Sequence, residues 1–303
     1  MKKTLIVLAL LASFQVANAQ SNVNSAAKAV ESALAASQNE KKATKVATWM
    51  KLAQTYVDAY GAPAGNVWIG ADMNALQLSM GGEKPSSVET VTLNGAQYTK
   101  QIYENKNLYF NANGQLSVIE IVKPVVENAL PKALEAYKKA YELDEKHSKD
   151  KDISAGIKAI SEKLNQEAYN AYTLGDVKKA EEYFEAAYEA AAQKPYAQID
   201  TNSLYNAAFT SWSTENFSKA KTMFDKCLGY GYYGDGGEVF AKLSDCVSHI
   251  DTTAAGKAAA KEYLEQGFQK FPTSEGIVFG LINYYMTSGE GTDRLFELLQ
   301  QAK

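Results

Sequence analysis

The chain has 303 residues, with 31 Lys and Arg against 35 Asp and Glu, for a formal net charge of −4. That balance excludes the phosphate-driven electrostatics of nucleic-acid binding and gives no pull toward anionic membrane surfaces. The length allows one or two globular domains, or an array that grows in one dimension.

Met1-Lys2-Lys3 carries positive charge, Leu5 to Val16 is almost wholly apolar, and Ala17-Asn18-Ala19 is a small-residue pattern suited to signal peptidase. Residues 1–19 therefore read as a signal peptide cleaved after Ala19, which places the mature chain in the periplasm or outside the cell. The apolar run falls short of the roughly 20 residues a spanning helix needs, so no membrane insertion is expected. Lipid anchoring is not expected either, because the cysteines, Cys227 and Cys246, stand far downstream.

Residues 20–60 read as an N-terminal helix, with apolar spacing at Ala26, Val30, Ala33 and Leu34, followed by a second helix carrying Trp49, Leu52, Ala53 and Tyr56. Residues 61–126 break that pattern. Gly61, Pro63, Gly65, Gly70, Gly81, Gly82 and Pro85 mark irregular connection, with one helical turn near Asp72 to Leu78. Val88 to Leu93 then alternates in strand fashion before Asn94-Gly95, a hairpin turn signal. A second such signal, Asn113-Gly114, separates Leu108-Tyr109-Phe110 from the run Leu116 to Val122, and Lys123-Pro124 stops the strand. The segment reads as a small antiparallel β-meander.

From 127 to 303 four sets share one spacing: a small residue, an aromatic or leucine four positions on, and another small residue three later. They are Ala133, Tyr137, Ala140; Ala180, Phe184, Ala187; Ala220, Phe224, Cys227; and Ala260, Leu264, Gly267, recurring after 47, 40 and 40 residues. Offsets of three, four and seven share one helix face, where small residues admit a second helix and the ring fills the space between. Leu164 with Ala168, and Leu204 with Ala208, mark a partner helix before the second and third sets. Gly175-Asp176 and Glu215-Asn216 supply tight turns between the two. The unit is helix, turn, helix.

This pattern resembles the tetratricopeptide repeat (TPR), with Trp, Leu, Gly and Tyr on the first helix and Ala, an aromatic and Ala on the second. Trp49, Leu52, Ala53 and Tyr56 match the first helix closely. The resemblance covers most of 42–60 and 127–300, and implies an all-α superhelix of about five helix hairpins with the β segment inserted in the first. It departs from the family in a period above about 34 residues, which predicts longer loops between hairpins, and in an enlarged loop expected from Asp251 to Gly256. The last hairpin, from Val278 through Leu281 and Tyr285 to Gly289, is expected to have a short second helix.

Motifs for chemistry are lacking. His147 sits in a mixed charge run and His249 near a helix end, neither in a metal-ligand spacing. There is no phosphate-binding glycine loop and no Gly-x-Ser-x-Gly elbow, so neither catalysis, a metal nor a cofactor is expected. The stretch Gly229 to Gly237, rich in Gly and Tyr, reads as an inter-hairpin loop, with a mobile aromatic contact surface as the other reading. Cys227 and Cys246 fall on helices expected to be neighbours, and are either a disulfide or two buried thiols.

First helices line the concave surface in the family the chain resembles. Tyr169, Tyr172 and Tyr205 on such helices, with Trp212, are the residues singled out for partner contact. The expected role is a non-catalytic exported scaffold for a protein or peptide, with the β segment as a second contact edge. The other reading is a glycan-binding component of an outer-membrane uptake system, stacking sugars on Trp68 or Trp212.

Overall fold

A computed structural model describes residues 23–81, 83–289 and 291–301. The expected signal peptide at 1–19 lies outside them. The described chain is mostly helical, with one small antiparallel sheet. Its helices are α1 Val23–Gln38, α2 Glu40–Ala43, α3 Val46–Gly61, α4 Met73–Ser79, α5 Ala129–Leu143, α6 Asp150–Thr173, α7 Val177–Ala191, α8 Thr201–Ser213, α9 Phe217–Gly229, α10 Glu238–Ile250, α11 Ala254–Lys270, α12 Glu275–Ser288 and α13 Thr292–Gln301. Strands β1 Ser87–Leu93, β2 Ala96–Ile102, β3 Lys106–Phe110 and β4 Leu116–Ile121 lie between α4 and α5.

Each helix from α6 onward packs on the next, and α3 packs on α5 across the inserted segment. The small-ring-small sets on α5, α7, α9 and α11 are buried: Ala133, Ala140, Ala180, Phe184, Ala187, Ala220, Phe224 and Cys227 at 0% exposure, with Tyr137, Ala260 and Leu264 at 4%. Leu52, Ala53 and Tyr56 are buried on α3, while Trp49 is half-buried and donates its indole N–H to Ala43 O at 2.8 Å. The small positions set the helix spacing. A Cβ on Gly267 would fall 2.7 Å from Phe240 Cβ, and one on Gly156 of α6 would fall 2.2 Å from the Tyr137 ring. Neither approach is open to a larger residue.

Turn chemistry closes the hairpins. Gly175 takes φ +87° between α6 and α7, and Asp176 accepts a hydrogen bond from Lys179 N at the start of α7. Forty residues later Glu215 occupies the equivalent place with φ 62°, a left-handed conformation without glycine. The long period has two sources. Residues 192–200 and 230–237 are long connections, the second ending in a 3-10 turn at Asp235–Gly237, but α6 itself runs 24 residues, so part of the added length is helix.

The enlarged loop expected at Asp251 to Gly256 is smaller than that reading. Helix α11 begins at Ala254, Thr253 caps it by accepting from Gly256 N, and only 251–253 connect α10 to α11. Position 256 lies inside the helix, and it takes glycine because a Cβ there would fall 2.0 Å from Asp251 O. The glycine marks a close approach, which sequence alone renders as a breaker. Cys227 and Cys246 are both free and both buried, so of the two readings the structure holds the thiols and not the bridge.

The sheet has the order β1-β2-β3-β4, all neighbours antiparallel. Asn94 (φ 50°) and Gly95 (φ 81°) form the two-residue turn between β1 and β2, and Gly114 (φ 74°) serves the β3–β4 turn. The β3–β4 half is covered by α4 and the preceding loop, which bury Leu76, Met80, Leu108, Phe110 and Leu116 in a core of their own. Two side-chain contacts dock the sheet on α6. Asn170 Nδ2 donates to Ile119 O at 3.1 Å, and Asn94 Nδ2 donates to Tyr172 O and Thr173 O at 3.1 and 3.2 Å.

Candidate functional site

Helix α8 carries Tyr205, Phe209 and Trp212 at offsets of four and seven, one stripe of a 3.6-residue helix. All three rings are half-buried. Helix α10 repeats those offsets with Glu238, Lys242 and Asp245, and the two rows meet. Tyr205 donates its hydroxyl hydrogen to Glu238 Oε1, and Trp212 Nε1 donates to Asp245 Oδ2 at 2.6 Å. The Lys242 ammonium lies 3.7 Å from the Trp212 ring centroid and 4.9 Å from that of Phe209. A cation over an indole face is the strongest of its kind.

Ring–ring contacts continue the row. Tyr205 and Phe209 stack at 6.4 Å, Phe209 and Trp212 are tilted at 5.8 Å, and Tyr232 packs on Tyr205 at 5.5 Å. Toward α6, Asn206 Nδ2 donates to the Tyr169 hydroxyl at 3.0 Å and Asn165 Nδ2 donates to Ser203 Oγ at 2.6 Å. Tyr169 meets Phe184 edge-on at 5.1 Å. Burial, then the Glu238 carboxylate, raises the Tyr205 phenol well above its ordinary range. Burial also raises Tyr169 and Tyr172. These phenols remain neutral hydrogen-bonding groups at any physiological pH.

Of the residues singled out in the sequence, Tyr169, Tyr205 and Trp212 thus share one connected surface across α6, α8 and α10. Tyr172 packs against the same buried cluster from its edge. It lies at the last turn of α6, where Asn94 of the β1–β2 turn holds its carbonyl. Sequence reasoning missed Phe209, Glu238, Lys242 and Asp245. The signal was the shared four-and-seven offset on helices one hairpin apart, which matches a polar row to an aromatic one.

A second polar cluster joins α3 and α6, and another lies within the sheet. Tyr60 donates to Glu167 Oε1 at 2.5 Å, and the Lys163 ammonium lies 5.6 Å from the Tyr60 ring. Burial raises the Glu167 carboxyl and lowers the Lys163 ammonium, in both cases disfavouring the charged form. On the sheet side Glu120 accepts from Tyr109 at 2.6 Å and from Asn107 at 2.8 Å.

The loop from Gly229 to Gly237 spends its rings on internal contacts. Tyr232 reaches Tyr205, and Tyr233 stacks on Phe240 at 5.7 Å. Tyr230 alone of the three is exposed, with its hydroxyl 3.3 Å from that of Tyr188. Burial pushes both thiols, Cys227 and Cys246, up to about 12, so neither is a thiolate nucleophile. Among the described residues no group of three His, Cys, Asp or Glu side chains could hold a metal ion. No described helix is long and apolar enough to cross a membrane. No protein-family model matches this chain, and no curated protein matches it.

Proposed function

We propose that this chain is an exported, non-catalytic scaffold of the TPR type, a superhelix of about five helix hairpins that binds a protein or peptide along the face of α6, α8 and α10. The observation that carries the reading is the aromatic row Tyr205, Phe209 and Trp212, half-exposed yet fixed by Glu238, Lys242 and Asp245. Rings held in place lose little freedom when a ligand seats on them, and centrally placed aromatics carry most of the energy in protein recognition. The stacked hairpins with small-ring-small seams support the TPR assignment. The Lys-Lys, apolar and Ala-x-Ala pattern of residues 1–19 supports export.

The test is a peptide array read against the full chain, followed by fluorescence polarisation with the peptides that bind. Phe209→Ala and Trp212→Ala are expected to weaken binding by about tenfold or more, the effect of losing a 1.4 kcal/mol contact. Peptide affinity unchanged in both variants, with their helical circular dichroism intact, would sink the reading. The glycan reading rests on Trp68, which is 49% exposed. A glycan array whose signal vanishes in Trp68→Ala would move the assignment there.

A further inference from the structure

The two edges of the sheet are treated differently by the chain. The β4 edge is engaged at its start, where Gly70 N donates to Leu116 O at 2.7 Å, Leu116 N donates to Ala71 O at 2.8 Å and Asp72 bridges to Gln115, and again at Ile119 O, which accepts from Asn170 Nδ2 at 3.1 Å. The β1 edge faces solvent over seven residues, and among the described residues β1 pairs with β2 alone.

The turn fixes which groups that edge presents. Leu93 and Ala96 flank a two-residue turn and so form a hydrogen-bonded pair, which makes 91, 89 and 87 the residues bonded to β2. Val88, Thr90 and Thr92 therefore aim their N–H and C=O groups outward. Natural edges are usually blunted by lysine, proline or a bulge. Lys84-Pro85 and the second donation to Ile102 O, from Ser86 N at 2.7 Å, stop at the start of β1; from Ser87↔Ile102 to Leu93↔Ala96 the register runs unbroken with no lysine or proline, and Glu89 is the one charge.

We propose that β1 pairs antiparallel with β1 of a second copy, joining two sheets into one across a two-fold axis at Thr90. In that register Val88, Thr90 and Thr92 face Thr92, Thr90 and Val88 of the second copy. All three are hydrogen-bonded pairs, so every outward donor meets an outward acceptor. The charges also fit. Glu89 stands across from Val91 of the second copy and diagonal to that copy's Glu89, and each carboxylate has Lys100 directly opposite it within its own sheet to offset the other. A strange sequence would need to supply this match, whereas a second copy has it by construction. One strand pair buries less than the roughly 1,200 Å² of a stable interface, so the dimer is reversible and concentration-dependent. The contact uses no part of the α6–α8–α10 face and stands whether or not that face binds a peptide.

Sedimentation equilibrium on the full chain, without added ligand, tests it across micromolar to sub-millimolar concentrations. A monomer–dimer equilibrium is expected. Thr90→Pro removes an outward N–H that β2 does not use, and is expected to weaken the dimer at least about tenfold with unchanged circular dichroism. Thr90→Cys needs no change of backbone. Two such residues in a hydrogen-bonded pair sit about 5.5 Å apart between Cα atoms, within disulfide range, so oxidation should give a covalent dimer. Asn113→Cys, at the turn on the far hairpin, should not. A wild-type chain that stays monomeric throughout, a Thr90→Pro chain that dimerises as the wild type does, or equal crosslinking of the two cysteine variants overturns the proposal. So does a monomer whose β1 edge instead takes up an extended peptide.

Discussion

Glu167 is a largely buried carboxyl with the Tyr60 hydroxyl as its donor and Lys163 and Lys179 close by. Burial raises it above its ordinary value of 4.5, with the Tyr60 hydrogen bond as the largest opposing influence. A carboxyl raised in the folded state binds its proton more tightly there than in the unfolded chain. Its stabilising contribution is complete below the unfolded value and is lost as pH rises through the folded one. Glu167→Gln cannot titrate. Urea unfolding of both chains between about pH 4 and pH 8 should therefore show the wild type losing stability relative to the variant as pH rises from the ordinary glutamate range near 4.3. A constant difference across that range would show that Glu167 is not perturbed. Single residues of this kind were not legible in the sequence. Tyr60 and Glu167 are 107 positions apart, and nothing local to either marks the pair. Tyr205 and Trp212 were legible as aromatics on a helix, but their partners on α10 depend on how two hairpins superpose.

Elements are read more easily, because their signals are local. The Asn94-Gly95 turn, the Asn113-Gly114 turn and the helical turn at α4 stand where the sequence pattern puts them. What the sequence left out is how the sheet attaches. Asn94 does two jobs: its backbone accepts φ 50° and its side chain binds the last carbonyls of α6. Those carbonyls lie in the last turn of α6, where the helix supplies no i+4 donor, and Tyr172 O also accepts from Gly175 N at 3.0 Å. Asn94→Gly keeps the turn and removes the attachment, so the chain should lose about 0.5–1.5 kcal/mol for each hydrogen bond it fails to replace with water. Hydrogen exchange should rise in β1, β2 and the end of α6 while β3 and β4 keep their protection. Unchanged exchange in β1 and β2 would mean the docking is held by other contacts. Gly267 offers the opposite case. As a mid-helix glycine it should gain about 1 kcal/mol from Gly267→Ala by propensity alone. The new Cβ would fall 2.7 Å from Phe240 Cβ and 2.8 Å from Ile277 Cδ1, both on buried residues. Overpacking costs typically about 1–3 kcal/mol, so the net effect should be destabilising in chemical denaturation. A stabilised variant would show that α10, α11 and α12 have room to part.

At the scale of the molecule, the stack was legible because one physical rule repeats: a small residue on each second helix lets the next helix close in. The stripes at 133, 180, 220 and 260 carry that rule, and all four are buried. The long period is only partly loop, since glycine at 256 marks contact and α6 runs 24 residues where longer loops are expected. The buried side chains do not form one core. Leu281 belongs with Phe240, Leu264 and Ile277 at one end, while Tyr137, Ile157 and Leu52 form another cluster and the sheet a further one. Stability in such a stack is close to a sum of neighbouring terms, so damage should stay near its origin. Leu281 is fully buried, and Leu281→Ala should cost about 2–5 kcal/mol through lost transfer energy and the cavity left behind. Hydrogen exchange should then accelerate in α10 to α13 and keep wild-type rates in α3, α5 and β3, which share no buried cluster with Leu281. Acceleration of all amides by a common factor would instead mean that the whole chain opens as one cooperative unit, with the hairpins coupled more tightly than their separate cores imply.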